Sequence, residues 1–198
     1  MEQVINLLQE ALILLKQESN RMETENTDTP LAWGAKVSQV FRDRVRWIGE
    51  TLEVDPNYLM ACMAWESGET FRSDIKNAAG SGATGLIQFM PSTARALGTT
   101  VEKLARMSPE DQLNYVYKYF RPYAGRLNNL GDVYMAILWP KGVGKDDSYV
   151  LFDRAKAPTT FRQNAGLDLN KNGQVTREEC LIKIEQKLQK GLSKQYLG

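Results

Sequence analysis

The segment from Trp65 to Pro91 holds the residues best suited to do chemistry. Glu66 follows an apolar run, Leu59-Met60-Ala61-Cys62-Met63-Ala64, that predicts a buried helix face. A carboxyl group held against apolar neighbours loses hydration of its charged form, so its pKa should rise. A carboxyl with a raised pKa can serve as a general acid near neutral pH, for example toward a glycosidic oxygen.

A glycine-rich stretch and a glutamine follow this carboxyl. Glycine between Gly80 and Gly85 lets the backbone approach a ligand where a side chain would collide. Gln88 supplies an amide that can donate to one sugar group and accept from another. The same residues also fit an ordinary helix C-terminus, a flexible loop and a structural glutamine. Their spacing alone leaves both interpretations open.

Together these residues form a longer pattern: Glu66-Ser67, Phe71, Gly82-Ala83-Thr84-Gly85-Leu86-Ile87-Gln88-Phe89-Met90-Pro91 and Thr93-Ala94. This pattern resembles the soluble lytic transglycosylase family, which is related in fold to goose-type lysozyme. The family motifs are Glu-Ser-x-Phe and Gly-Leu-Met-Gln-x-x-Pro, and the resemblance runs from about residue 50 to about residue 150. The form Glu-Ser-Gly-Glu-Thr-Phe is most similar to bacteriophage members, which are endolysins or virion-borne wall-degrading proteins.

The resemblance implies a substrate and a reaction. The substrate is bacterial peptidoglycan, cleaved between N-acetylmuramic acid and N-acetylglucosamine with Glu66 as the catalytic acid and base. The implied product carries a 1,6-anhydro ring, closed by the muramic acid C6 hydroxyl without water. No cofactor is expected for catalysis.

The resemblance also implies contacts to the sugar, and we expect them from Ser67, Ser81, Gln88 and Phe89. The family's Tyr-Asn-Ala-Gly motif is not evident, since the corresponding region ends in Trp139-Pro140. We expect Tyr134 or Trp139 to take over its role. Either residue would also fit the core. A serine that the family places before Gly-Ala-x-Gly falls at about Ala79 here, with Ser81 nearby.

A second carboxylate would change the chemistry. A glycosidase that uses two carboxylates needs them roughly 5–9 Å apart. The candidates closest in sequence or motif are Glu69, Asp74, Asp111 and Asp132. If one of them faces Glu66 across a cleft, hydrolysis with inversion, as in a muramidase, becomes the better interpretation.

The composition narrows the class of protein. The 25 Lys and Arg against 24 Asp and Glu leave a net charge of +1, and no basic block appears, so nucleic acid is not an expected partner. The chain has no histidine, which excludes His-dependent triads and HExxH zinc sites. We expect Cys62 and Cys180 to be free thiols that act as small apolar residues.

The pattern along the chain predicts a mainly α protein with any sheet small. We expect an N-terminal helix at 1–22, a linker at 23–34, a lysozyme-like domain at 35–157 and a C-terminal loop and helix at 158–198. Residues 1–22 could pack on the main domain, serve docking or self-association, or lie on a membrane surface. The N-terminus shows no secretory signal pattern. We therefore expect synthesis in a host cytoplasm and action in the periplasm at the cell wall, or carriage in a virion.

The stretch from Asp168 to Glu179 fits the EF-hand loop. The expected oxygen ligands of a structural Ca²⁺ are Asp168, Asn170, Asn172, Gln174 and Glu179. Only two of these side chains are charged, so modest affinity is expected. The alternative is a helix capping box formed by Thr176 and Glu179, which needs no metal. Residues 159–166 look poor as an entering helix, and no second loop is present to pair with this one.

The sequence therefore leaves three alternative functions open. The first is a peptidoglycan-cleaving enzyme. The second is a virion or assembly component that keeps a lysozyme-like fold for binding and docks through residues 1–22. The third is a calcium-dependent interaction module without catalysis.

Overall fold

The computed structural model describes residues 29–78 and 80–198 of the chain. Residues Leu31 to Gly198 form one compact unit. The expected N-terminal helix at 1–22 and the first part of the expected linker lie outside the described residues.

The described residues are mainly helical, which confirms the predicted class. Residues 29–78 and 80–198 contain eight α-helices: α1 (Gln39–Leu52), α2 (Pro56–Glu66), α3 (Pro91–Ala96), α4 (Val101–Ala105), α5 (Pro109–Phe120), α6 (Leu130–Leu138), α7 (Pro158–Asn164) and α8 (Arg177–Gly191). Two strands, β1 (Val150–Asp153) and β2 (Gln174–Thr176), pair antiparallel. Short 3-10 turns lie at Gly34–Lys36, Arg121–Tyr123, Pro140–Gly142 and Ala165–Leu167.

Local sequence signals explain where the helices begin. The Asp55 side chain accepts a hydrogen bond from Asn57 N, and Pro56 occupies the first turn of α2. Ser108 accepts from Asp111 N in the same way at the start of α5. A capping side chain satisfies a backbone donor that the helix itself leaves free, so these residues fix the helix start.

Helix α2 lies in the middle of the unit. Its residues from Leu59 to Ala64 are all buried, each at most 1 % exposed. A helix that is apolar on every side is stable only when other elements surround it. Helices α1, α6 and α8 pack around α2. The core helix therefore holds its last residue, Glu66, in a fixed place.

The first and last segments of this unit are joined by backbone hydrogen bonds. Leu31 N donates to Gly198 O at 2.8 Å, and Gly198 N donates to Leu31 O at 3.1 Å. Trp33 is fully buried. The expected linker at 23–34 is thus too long, because the apolar residues after Pro30 bury themselves in the core.

The cysteines of the described residues lie in the hydrophobic core. Cys62 and Cys180 are both free and buried, which confirms the expectation of two free thiols. No helix within residues 29–78 and 80–198 is long and apolar enough to cross a membrane.

Candidate active site

Glu66 is the last residue of α2 and is half-buried. Its carboxyl interacts electrostatically with the thiol of Cys62 on the same helix. It interacts likewise with the phenols of Tyr119 on α5 and Tyr134 on α6. The carboxyl thus lies near residues of three helices, α2, α5 and α6, and Glu66 as a whole keeps part of its surface open to solvent.

Burial raises the pKa of Glu66 to about 7, because desolvation disfavours the charged carboxylate. Desolvation by burial also raises the pKa of the Tyr119 and Tyr134 hydroxyls above their usual value, and Glu66 contributes to both shifts. These phenols are therefore neutral near pH 7. A carboxyl in this setting can hold a proton at neutral pH and give it up during a reaction, as a general acid must.

The two tyrosines brace the end of α2. The Tyr119 hydroxyl donates to Ala136 O at 2.6 Å and so links α5 to α6. Trp65, which precedes Glu66 in the chain, donates its indole N–H to the Tyr134 phenol oxygen. Sequence reasoning missed Tyr119. The signal was a row of tyrosines at alternate positions of α5, and helix periodicity alone does not say which of them faces Glu66.

The glycine-rich segment forms a tight loop beside α5. Isolated bridges pair Lys76 with Thr84 and Thr84 with Phe89. Gly85 has φ +88°, and a Cβ at this position would come within 2.3 Å of Gln112 Oε1. Only glycine fits here, because the backbone is left-handed and the space is already filled.

Gln112, which sequence reasoning also missed, fastens this loop. It is fully buried, and its Oε1 accepts from Leu86 N at 2.7 Å. Its Nε2 donates to Ser73 O at 3.0 Å and to Leu104 O at 2.9 Å. A single buried amide therefore joins three segments and satisfies their polar groups, which would otherwise be costly to bury.

Gln88 is half-buried and has a left-handed backbone, with φ +51°. Its Nε2 donates to Ile75 O at 3.2 Å and to Gly85 O at 3.1 Å. The side-chain N–H groups are thus used within the loop, so the expected donation to a sugar is not available. The amide oxygen remains the group that can accept from a ligand hydroxyl.

Two residues expected to contact the sugar lie in the interior instead. Ser67 is 1 % exposed, and its hydroxyl donates to Met63 O at 2.6 Å and accepts from Phe71 N at 3.0 Å. Phe89 is also 1 % exposed and packs edge-on against Tyr119, with ring centroids 6.1 Å apart. Both residues shape the site from behind rather than contact a ligand.

The other expected sugar contacts divide into buried and accessible residues. Tyr134 is only 3 % exposed and belongs to the core beside Glu66. Trp139 is half-buried, ends α6 and packs edge-on against Phe152 at 5.2 Å between ring centroids. Ser81 is exposed, and its hydroxyl accepts from Ala83 N at 3.3 Å. Trp139 and Ser81 keep surface that a ligand can reach.

Glu69 is the first of the four candidate second carboxylates, and it is held by two cations of α8. It makes ion pairs with Lys187 and Lys190, the latter at 2.7 Å. Desolvation acts to raise its pKa, but the hydrogen bonds from the two lysines outweigh that effect and lower it. Glu69 is therefore a charged, paired carboxylate and not a free helix-end charge.

The other three candidates also have partners. Asp74 pairs with Arg72 at 2.7 Å, and both are largely exposed. Asp111 accepts from the Ser108 hydroxyl at 2.8 Å in the cap of α5. Buried Asp132 takes hydrogen bonds from the backbone and from Arg177, in each case away from solvent. Each of these carboxylates has a structural partner of its own.

Side-chain to backbone hydrogen bonds close the loop from Asp168 to Glu179. Asp168 Oδ1 and Asn170 Oδ1 both accept from Asn172 N, at 3.1 and 3.0 Å. Asn172 Oδ1 accepts from Gln174 N at 2.7 Å, and Gly173 has φ +86°. Contrary to expectation, the preceding residues do form a helix, α7, which packs through buried Phe161.

Glu179 accepts hydrogen bonds from both ends of that loop. Its Oε2 accepts from Thr176 N at 2.9 Å, so the capping box is present at the start of α8. Its Oε1 accepts from Leu169 N at 3.0 Å, which brings the carboxylate back over the first turn of the loop. The donor set consists of oxygen atoms alone and fits a hard cation such as Ca²⁺. Within the described residues, no group of three or more His, Cys, Asp or Glu side chains could hold a metal.

The comparison with protein families bears on the segment that carries Glu66. Residues 45–138, just under half of the chain, match the family model described as the transglycosylase SLT domain. No curated protein matched the chain. The matched segment begins in α1 and ends at the last residue of α6, so it includes Glu66, the glycine loop, Tyr119 and Tyr134. Residues 45–138 thus belong to the transglycosylase SLT domain family, whose members are lysozyme-like peptidoglycan lytic transglycosylases.

Proposed function

We propose that this protein cleaves the β-1,4 bond between N-acetylmuramic acid and N-acetylglucosamine in peptidoglycan, with Glu66 as its single catalytic carboxyl group. The observation that carries the proposal is the half-buried position of Glu66, where desolvation raises its pKa to about 7. The family match of the surrounding segment supports the substrate.

In the proposed reaction Glu66 first gives its proton to the bridging glycosidic oxygen. The carbonyl oxygen of the substrate's own N-acetyl group stabilises the oxocarbenium-like centre that forms. The Glu66 carboxylate then takes the proton of the muramic acid C6 hydroxyl, whose oxygen closes the 1,6-anhydro ring. The proton donated in the first step is regained in the second, so the enzyme returns to its starting state and no water is consumed.

The partners of the other carboxylates favour this route over hydrolysis. Glu69, Asp74, Asp111 and Asp132 each form an ion pair or cap a helix. A hydrolytic muramidase that inverts would need one of them to activate water opposite the sugar. The contacts described above commit each one elsewhere. The amide oxygen of Gln88, together with Trp139 and Ser81, remains for binding the glycan.

The test of the enzyme class is clearing of chloroform-treated Gram-negative cells by the purified protein. We expect the wild type to reduce turbidity and Glu66→Gln to have no measurable effect while keeping its circular dichroism spectrum. A folded wild type that clears nothing would contradict the enzyme assignment and favour a virion component that only binds the wall. Asp74→Asn, an exposed carboxylate outside the site, is the matched control and should clear normally.

We also propose that the loop at 168–179 binds a structural Ca²⁺. Asp168, Asn170, Asn172 and Glu179 would supply side-chain oxygens and Gln174 its carbonyl, and the ion would take no part in the chemistry. The shared approach of Asp168 and Asn170 to one backbone N–H supports this set. Millimolar CaCl₂ should raise the unfolding temperature of the wild type but not of Asp168→Ala. An equal shift in both, or none in the wild type, would contradict the site.

The route to the wall is part of the proposal as well. The resemblance of the Glu66 to Phe71 motif to bacteriophage members supports a phage-encoded endolysin or a virion-borne enzyme. An endolysin would reach the periplasm through a membrane lesion, and a virion-borne enzyme would arrive by injection. Antibody labelling of purified particles from a producing strain would separate the two roles.

A further inference from the structure

The C-terminal helix α8 contacts the residues on either side of Glu66 at the end of α2. Lys187 and Lys190 both bind the carboxylate of Glu69, three residues after Glu66. Lys190 reaches both of its oxygens, at 2.9 and 2.7 Å. The ammonium group of Lys187 also lies 6.0 Å from the ring centroid of Trp65, the residue before Glu66. The two lysines therefore bind Glu69, which follows Glu66 in the chain, and Lys187 also lies near Trp65, which precedes it.

The turn that follows Glu66 needs such support. Glu69 and Phe71 have left-handed backbones, with φ +65° and +52°, although neither is glycine. Non-glycine residues avoid this conformation unless surrounding contacts hold them in it. The ion pairs to Glu69, together with its backbone bond to Ala64 O at 2.7 Å, provide contacts of that kind.

Aromatic residues in turn hold the two lysines in place. Trp33 is fully buried, and its indole N–H donates to Lys187 O at 2.9 Å. Lys190 lies 5.4 Å from the Trp33 ring and 5.2 Å from that of Tyr196. The side chains of Lys187 and Glu69 are only 24 % and 22 % exposed, so their charges are less screened than those of an open surface pair.

We propose that Lys187 and Lys190 are positioning residues for Glu66, which they fix through Glu69 and Trp65. The proposal rests on the proposed function, and it assigns to α8, outside the family-matched segment, a part in the reaction. Neither lysine touches substrate. They act by keeping the end of α2 in the geometry in which the Glu66 carboxyl can donate and regain its proton.

The test replaces both lysines by methionine, which keeps much of the side-chain volume and removes the charge. A small displacement of a catalytic group is expensive, so kcat on soluble glycan strands should fall roughly tenfold or more while KM stays within about twofold. Lys187→Arg/Lys190→Arg restores the two charges and should recover most of kcat. Lys183→Met removes a charge one turn earlier on α8, from a lysine without an ion pair among the described residues, and should resemble the wild type.

A second readout needs no substrate. Carbon-13 labelling of the glutamate carboxyls allows the Glu66 signal, identified by its absence in Glu66→Gln, to be titrated by NMR. Cys62, Tyr119 and Tyr134 interact electrostatically with Glu66, and all three are neutral near pH 7 because burial raises the pKa of each. If the end of α2 loosens and hydrates, the pKa of Glu66 falls by roughly one unit in the double methionine variant. Loss of two cations without any movement would instead raise it.

The two readouts separate this inference from the proposed function. A Glu66 pKa that stays constant or rises in the methionine variant, with kcat unchanged, overturns the positioning role even if the wild type is fully active. An inactive wild type overturns the proposed function, and the titration still decides the positioning role. If the double variant unfolds, Glu69→Gln removes the same ion pairs with one conservative change and should give the same fall in pKa.

Discussion

The Tyr119 hydroxyl donates a hydrogen bond of 2.6 Å to the carbonyl oxygen of Ala136, and this bond joins the two helices that flank Glu66. The Tyr119 ring also packs against Phe89 and Tyr123, at 6.1 and 6.5 Å between centroids. Tyr119 thus connects the glycine loop, α5 and α6 at the site. Its ring and its hydroxyl have separate roles, which a single substitution can distinguish.

Tyr119→Phe keeps the ring and removes the hydrogen bond to Ala136. We expect the free energy of unfolding to fall by about 1 kcal/mol, as for a typical internal hydrogen bond. Activity should drop less than tenfold, because the proposed proton transfers do not involve the phenol. Urea denaturation and turbidity clearing measure the two effects. If Tyr119→Phe were as inactive as Glu66→Gln, the phenol would take part in the chemistry and the single-carboxyl mechanism would be incomplete.

The rate of glycan cleavage should depend on the protonated form of Glu66. Since its pKa is raised to about 7, the acid form dominates below pH 7 and disappears above it. We therefore expect kcat to decline as pH rises through about 7. The measurement is kcat on soluble glycan strands across this range. A kcat that rose through the same range would mean that the ionised carboxylate is the active form, as for a general base.

Glu66→Gln should make the protein more stable at alkaline pH. Below the ordinary pKa of 4.5 the carboxyl is protonated in both folded and unfolded chains, so the substitution changes little there. Above about pH 7 the folded protein must hold a desolvated carboxylate, and the neutral amide removes a penalty on the order of 1–3 kcal/mol. Denaturant unfolding at pH 4 and pH 8 tests this sign. A variant that is less stable than the wild type at pH 8 would show that Glu66 is not held in a desolvated place.

Two glycines allow the close packing of the loop to be measured separately from its backbone strain. Gly85 and Gly98 both have positive φ, at +88° and +79°. A Cβ on Gly85 would meet Gln112 at 2.3 Å, whereas nothing lies within 4 Å of one on Gly98. Gly98→Ala should therefore cost about 1 kcal/mol from strain alone, and Gly85→Ala distinctly more, about 2–4 kcal/mol. Equal losses of unfolding free energy for the two variants in thermal unfolding would contradict the tight packing of Gln112 against Gly85.

The sequence was informative wherever a residue's environment is set by its near neighbours. The apolar run before Glu66 predicted its desolvation. The helix starts after Asp55 and Ser108 depend in the same way on capping side chains and prolines adjacent in the chain. The two-stranded sheet agrees with the expected small content of strands. Each of these features depends on caps and periodicity over a few residues.

What the sequence could not predict are contacts set by tertiary packing. Lys187 and Lys190 lie 118 and 121 residues from Glu69, and no local pattern relates them. Ser67 and Phe89 were expected to face a sugar, but the packing around Phe71 and Tyr119 turns both inward. Motif membership alone does not distinguish a residue that contacts a ligand from one that supports the site from behind.

The most direct test of Glu66 as sole acid and base is cleavage of purified glycan strands in isotopically labelled water, followed by mass spectrometry of the fragments. The proposed ring closure uses the substrate's own C6 hydroxyl, so the wild type should release anhydro ends that are one water lighter than reducing ends and carry no label. Glu66→Gln should release no fragments. Labelled reducing ends from the wild type, or any anhydro product from Glu66→Gln, would contradict the account.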